Sequence, residues 1–213
     1  MVESKNIVVF ASGTGSNFKS IYKDIRDGKI NGEILLLISN NSNCKAIDFA
    51  RENGIEVSVI NNEIINNSDK YESFLIQILE SVKTDLIVLA GYLKIIPSKI
   101  ISKYRNKILN IHPSLLPKFG GKGFYGMNVH KSVIEEKEKF TGATVHFVDE
   151  VYDNGPIILQ RKIEVLKNDS PESIASKVLS VEHALFPYVV RKFCSEDIIF
   201  KGNKPIITGD KEW

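Results

Sequence analysis

Ile7-Val8-Val9-Phe10-Ala11-Ser12-Gly13-Thr14-Gly15-Ser16-Asn17 is an apolar run closed by a serine and two glycines. Residues 16–27 then carry apolar side chains at helical spacing through Phe18, Ile21, Tyr22 and Ile25. The stretch predicts a strand, a glycine turn and a helix, the opening unit of an α/β fold. The turn has a second meaning. Backbone N–H groups and the positive end of the helix dipole meet there, so Gly13, Thr14, Gly15, Ser16 and Asn17 form an anion site whose natural occupant is a phosphate. The run is neither G-x-G-x-x-G nor a Walker loop, because the third glycine is missing and no Gly-Lys-Ser follows, so neither a dinucleotide nor ATP is favoured. The alternative is a tight turn with Ser or Asn as helix cap, which any α/β protein can carry.

Outward from this stretch the alternation continues. Residues 33–39 read as strand, 43–53 as a helix stopped by Gly54, 55–60 as strand, 68–83 as a long amphipathic helix, and 85–90 and 107–111 as short apolar strands. Fully apolar strands separated by helices predict a parallel sheet covered on both faces. Beyond Pro117 the pattern changes: residues 118–126 hold four glycines in nine positions, which reads as a mobile loop. A helix over 128–139 follows, then strands over 141–148 and 157–165 joined by 149–156. The longest helix spans 170–193, opened by Ser170 as N-cap and Pro171 at its first position. Residues 197–207 read as a hairpin around Lys201-Gly202-Asn203. No repeat, low-complexity run or linker interrupts the chain. The expectation is one α/β domain over 1–213, a doubly wound, mostly parallel, Rossmann-like sheet with C-terminal antiparallel additions, its residues 1–110 forming a nucleotide-binding-like half.

With 213 residues, 43% hydrophobic and 25% charged, the chain has apolar mass for a real core. A net charge of +2 is too mild for a nucleic-acid footprint. Cys44 and Cys194 lie far apart without metal spacing, so both read as reduced and structural. The N-terminal apolar run is far below membrane-span length and lacks a cleavable signal region, so no membrane partner and a cytoplasmic address are expected.

Asn110-Ile111-His112-Pro113-Ser114-Leu115-Leu116-Pro117 carries the chemistry. Alternate side chains of an extended chain share a face, so Asn110 and His112 project the same way. Pro113 has no N–H to continue a ladder and holds His112 extended, which places the pair at a strand end, where open α/β sheets keep their sites. Nothing around Ser114 resembles a nucleophile elbow.

The blocks 7–17, Leu89-Ala90-Gly91-Tyr92-Leu93-Lys94, 109–117, and Thr144-Val145-His146-Phe147-Val148 through Asp153-Asn154-Gly155-Pro156 together resemble the phosphoribosylglycinamide formyltransferase family. The Asn-x-His-Pro-Ser block with a later Asp is shared by the wider folate-dependent formyltransferases. The resemblance implies formyl transfer from 10-formyltetrahydrofolate, as donor co-substrate, to the amine of glycinamide ribonucleotide in purine biosynthesis, with no metal and a monomer or homodimer. It implies that residues 111–213 form the catalytic and folate-binding half. Asn110, His112 and Asp153 are then catalytic, 13–17 and Glu182 hold the ribonucleotide phosphate and ribose, and Leu93, Lys94, Ile95, Ile96, Asn110, Asp149 and Asp153 contact folate. On this reading Asn110 and a protonated His112 are two donors aimed at one developing oxyanion, and Asp153 favours the imidazolium and relays the amine proton.

His146 is expected on the same wall, while His130 and His183 read as surface or packing groups and Glu182 alone as a solvated helix carboxylate. Many relatives carry Arg where this chain has Tyr71 or its neighbour Lys70, so no folate-tail role transfers there. Two rivals remain. A folate-dependent formyltransferase with another acceptor, or a formyltetrahydrofolate hydrolase, keeps the chemistry; a silent phosphate-ligand-binding module keeps Gly13 and Gly15 without a use for Asn110, His112 and Asp153.

Overall fold

The computed structural model describes residues 2–209. In chain order the elements are β1 (Lys5–Phe10), α1 (Ser16–Arg26), β2 (Gly32–Ser39), α2 (Lys45–Glu52), β3 (Glu56–Val59), α3 (Asn62–Ile65), α4 (Ser68–Ser81), β4 (Leu86–Leu89) and α5 (Ser98–Lys103). They continue with β5 (Ile108–His112), α6 (Met127–Glu135), β6 (Phe140–Phe147), β7 (Ile157–Glu164), α7 (Pro171–Cys194), β8 (Ile198–Lys201) and β9 (Lys204–Ile207). Seven strands form a mostly parallel sheet in the order β3-β2-β1-β4-β5-β6-β7, and β8 pairs with β9 in a separate antiparallel hairpin. β1 runs parallel to β2 and β4, and β2 to β3, whereas β6 and β7 are antiparallel. The chain divides into two compact units between Leu109 and Asn110, within β5.

Strand burial explains the unbroken apolar runs. Ile7, Val8, Val9 and Phe10 of β1 and Leu86, Ile87 and Val88 of β4 are fully buried, as expected where helices cover both faces of a parallel sheet. α7 opens as its sequence requires: Ser170 accepts from Ser173 N–H, the Ser173 hydroxyl accepts from Ser170 N–H, and Pro171 occupies the first helical position. Two short helices, α3 and α5, lie in stretches without helical period. Asn61 caps the first through its side chain, and Pro97 precedes the second. Among the described residues no helix is long and apolar enough to cross a membrane.

Candidate active site

β5 ends on Asn110 and His112, and the second unit builds a polar cluster around them. Asp153 lies in the turn after β6, with φ +51°, a left-handed conformation that Asp tolerates better than most residues. Asp149 builds that turn: its carboxylate accepts from Val151 N–H at 3.0 Å and from Asn154 Nδ2 at 3.4 Å. Both Asp149 oxygens are therefore engaged in presenting Asp153. Gly155 is fixed by contact rather than by φ, since a Cβ there would meet the Phe147 carbonyl oxygen at 1.9 Å.

The carboxylate of Asp153 is the hub. Oδ2 accepts from Gly121 N–H at 2.9 Å and lies 3.5 Å from His112 Nδ1. Oδ1 accepts from Asn110 Nδ2 at 3.3 Å and lies 3.7 Å from His146 Nε2. His146 Nδ1 donates to the Phe147 carbonyl at 2.8 Å, which leaves Nε2 as the acceptor for Asn110 Nδ2 at 3.0 Å. The Asn110 amide thus directs both its hydrogens at fixed acceptors, and its orientation is set. Burial pushes the Asp153 carboxyl up, but the groups facing it, His146 first, then the His112 ring and the Gly121 N–H, together outweigh it, and the group sits below the usual carboxylate range.

His112 is 4% exposed, and both ring nitrogens face oxygens: Nε2 donates to the Phe119 carbonyl at 2.6 Å, and Nδ1 points to Asp153. Only an imidazolium donates to both. Burial pushes the ring pKa down, and although Asp153 and the Phe119 carbonyl push it up, burial prevails. Asp153 thus acts in the direction expected of it, favouring the imidazolium, while desolvation opposes it and sets the net shift downward.

The strand-end turn is held by a network of hydrogen bonds anchored on the buried Ser114 and Thr144. Ser114 Oγ donates to the Lys118 carbonyl at 2.6 Å, Thr144 Oγ1 donates to the Ser114 carbonyl at 2.6 Å, and Gln160 Nε2 donates to the Leu116 carbonyl at 2.9 Å. Ser114 therefore acts as a strut. Phe119 and Gly121 touch the site through main-chain groups, and sequence reasoning did not single them out; the glycine density of 118–126 was the only signal. His146 belongs directly to the cluster. His130, on α6, is 5% exposed, and its Nδ1 has no hydrogen-bond partner among the described residues. Glu182, on α7, is 8% exposed, which excludes the reading of a solvated carboxylate.

In the first unit the glycine turn has no capping side chain. Gly15 is the N-cap of α1 with φ +70°, so the Ser or Asn cap considered from the sequence is not formed. A Cβ at Gly15 would lie 2.8 Å from Ala46 Cβ, so both conformation and space demand glycine. Ser12, just before the turn, donates to Asn40 Oδ1 at 2.5 Å. Of the segment 93–96, Leu93 and Ile95 are exposed, Lys94 is half-buried and Ile96 belongs to the core. Cys44 and Cys194 are buried and are not joined in a disulfide.

A Rossmann-like sheet with an Asn-His pair at one strand end and a half-buried Asp beside it defines a class, and comparison agrees. The chain belongs to the formyl transferase family, which matches residues 5–190, and it is accordingly a transferase. Within that family it is 45% identical over 195 residues to the chloroplastic phosphoribosylglycinamide formyltransferase of Arabidopsis thaliana, covering 91% of this chain and 67% of that protein. It is 33% identical over 206 residues to phosphoribosylglycinamide formyltransferase of Escherichia coli (strain K12), covering 97% of this chain and 95% of that one. The crystal structure of glycinamide ribonucleotide transformylase 1 from Symbiobacterium toebii superposes with a TM-score of 0.89 at 31% identity, over 97% of this chain and 95% of its own. The chain spans about two thirds of the Arabidopsis protein and nearly the whole of the E. coli one.

Proposed function

We propose that the chain, working as a single domain, transfers the formyl group of 10-formyltetrahydrofolate to the amine of glycinamide ribonucleotide. The observation that carries this reading is the convergence of Asn110, His112 and His146 on the ionised Asp153. The amine nitrogen attacks the formyl carbon, a C–N bond forms, and the formyl oxygen gains negative charge. Asn110 Nδ2 and the His112 ring, alternate side chains on β5, exchange an acceptor within the cluster for that oxygen and become its donors, and losing one such donor typically costs about 2.7–4 kcal/mol. Negative charge brought by the substrates raises the His112 pKa, so the ring takes up a proton from water as they bind and is an imidazolium when the oxyanion forms.

Asp153 takes the proton leaving the amine and returns it to the folate nitrogen as the old C–N bond breaks, so no covalent enzyme intermediate forms. The ribonucleotide phosphate rests on the backbone of 13–17, consistent with an uncapped helix N-terminus, and Glu182 takes the ribose hydroxyls. The donor's contacts on this reading are Leu93, Lys94, Ile95 and Ile96 in the first unit and Asp149 in the second.

Purified protein mixed with both substrates should release tetrahydrofolate only when the amine is present. Release without the amine would identify a formyltetrahydrofolate hydrolase. No release, with phosphate ligands still bound, would identify a silent module.

A further inference from the structure

The segment 93–96 presents two large apolar side chains, Leu93 at 59% and Ile95 at 61% exposure. Side chains that exposed have little packing to fix them, yet a ligand resting on them gains affinity only from a preset surface. The fixing comes from the residues just before. Gly91 adopts φ +75°, and its carbonyl accepts from Ser12 N–H at 3.1 Å. Leu93 N–H donates to Ser12 Oγ at 3.0 Å, and that hydroxyl donates onward to Asn40. Between these two backbone ties the Tyr92 ring turns inward, edge to face with Phe10 at 5.1 Å between centroids. Its hydroxyl lies 2.9 Å from that of Tyr71, which belongs to α4 and is only 4% exposed. Burial pushes both phenols up, so both keep their protons and one hydroxyl donates to the other.

We propose that Tyr71 is a positioning residue for the formyl donor: through the hydroxyl pair it holds Tyr92, and through Tyr92 it sets Leu93 and Ile95 as the surface on which the donor's ring system lies. This rests on the reading that 93–96 lines the donor pocket. Removing one hydroxyl leaves the other without its partner in a half-buried place, so the Tyr92 side chain swings toward water and takes the segment with it. Removing both leaves no orphan, and two phenyl rings fill the same space.

Tyr71→Phe should therefore raise KM for 10-formyltetrahydrofolate by roughly threefold to tenfold, leaving kcat and the KM for glycinamide ribonucleotide within about twofold. The double variant Tyr71→Phe/Tyr92→Phe should bring the donor KM back to within about twofold of the parent. An unchanged donor KM in folded, active Tyr71→Phe overturns the proposal. So does an equal rise in both KM values, or a double variant worse than the single one. Calorimetry with tetrahydrofolate separates this failure from that of the underlying reading: parent protein that neither binds it nor turns over removes the functional assignment, whereas binding parent protein with an indifferent Tyr71→Phe removes only the positioning role.

Discussion

Asp153→Asn isolates the charge of one carboxylate. The change is isosteric, asparagine tolerates φ +51° as aspartate does, and its side-chain oxygen still accepts from Gly121 N–H, so the turn survives. What disappears is a negative charge 3.5 Å from His112 Nδ1. At an effective dielectric of about 20, two unit charges at that separation attract by about 5 kcal/mol. Burial already pushes the ring pKa down against that attraction, so without the carboxylate it falls further and the imidazolium is harder to form. The proton acceptor is lost as well, a contribution typically worth 10²–10⁴-fold. Together these predict a fall in kcat of roughly 10³-fold or more, with equilibrium affinity for glycinamide ribonucleotide unchanged. The His112 titration, followed through its ring C–H signal by NMR, should move further down from a midpoint already below 6.5 in the parent protein. Retention of more than a tenth of kcat, or a midpoint that stays in place, refutes the reasoning.

Other perturbations follow the same logic. His112→Ala should abolish transfer while calorimetric binding of the ribonucleotide survives, and lost affinity in a folded variant would mean that the role is wrong. Gly15→Ala forces a left-handed conformation on alanine and a 2.8 Å approach to Ala46, so the melting temperature should fall by about 2–8 °C and phosphate-dependent binding should weaken. Ser170→Ala removes one half of the α7 capping box, a loss of about 1 kcal/mol, visible as a drop of about 2–4 °C in thermal unfolding. Asp169 is held down to about 2 by Lys177, then by the Ser173 hydroxyl and Leu166 N–H. A lowered carboxylate pKa stabilises the fold above its unfolded value, near 4, and that contribution drains away as pH falls toward 2. Urea midpoints of the parent and Asp169→Asn should therefore differ above about pH 4 and converge near pH 2; a constant gap would show that the charge is not the cause.

The parts of this molecule legible in its sequence are those set by local rules. Apolar continuity placed β1 and β4, helical period placed α1 and α4, and Ser170-Pro171 marked the start of α7 because capping is decided within one turn. The alternation of Asn110 with His112 was equally visible, since two-residue spacing fixes a shared face. α3 and α5 escaped because four and six residues are too few to show a period. The net downward shift of the His112 pKa escaped for a different reason. A charge beside a ring can be anticipated from two residue types, whereas desolvation depends on everything packed around them. The closure of Phe119 and Gly121 on the site left no mark beyond glycine content, because it uses the peptide groups that every residue shares.

That last point bears on how the 118–126 segment can change. A carbonyl meeting His112 and an amide meeting Asp153 use no side chain of their own, and of the two positions only Gly121, at φ +92°, calls for glycine. The exposed Tyr125 can therefore drift, or be randomised in a library, without erasing either contact, provided no proline removes the amide at 121 and no bulk is added at Gly120, where a Cβ would meet Leu116 Cδ2 at 2.5 Å. Side chains along this stretch can thus be exchanged while the contacts to His112 and Asp153 stay as they are.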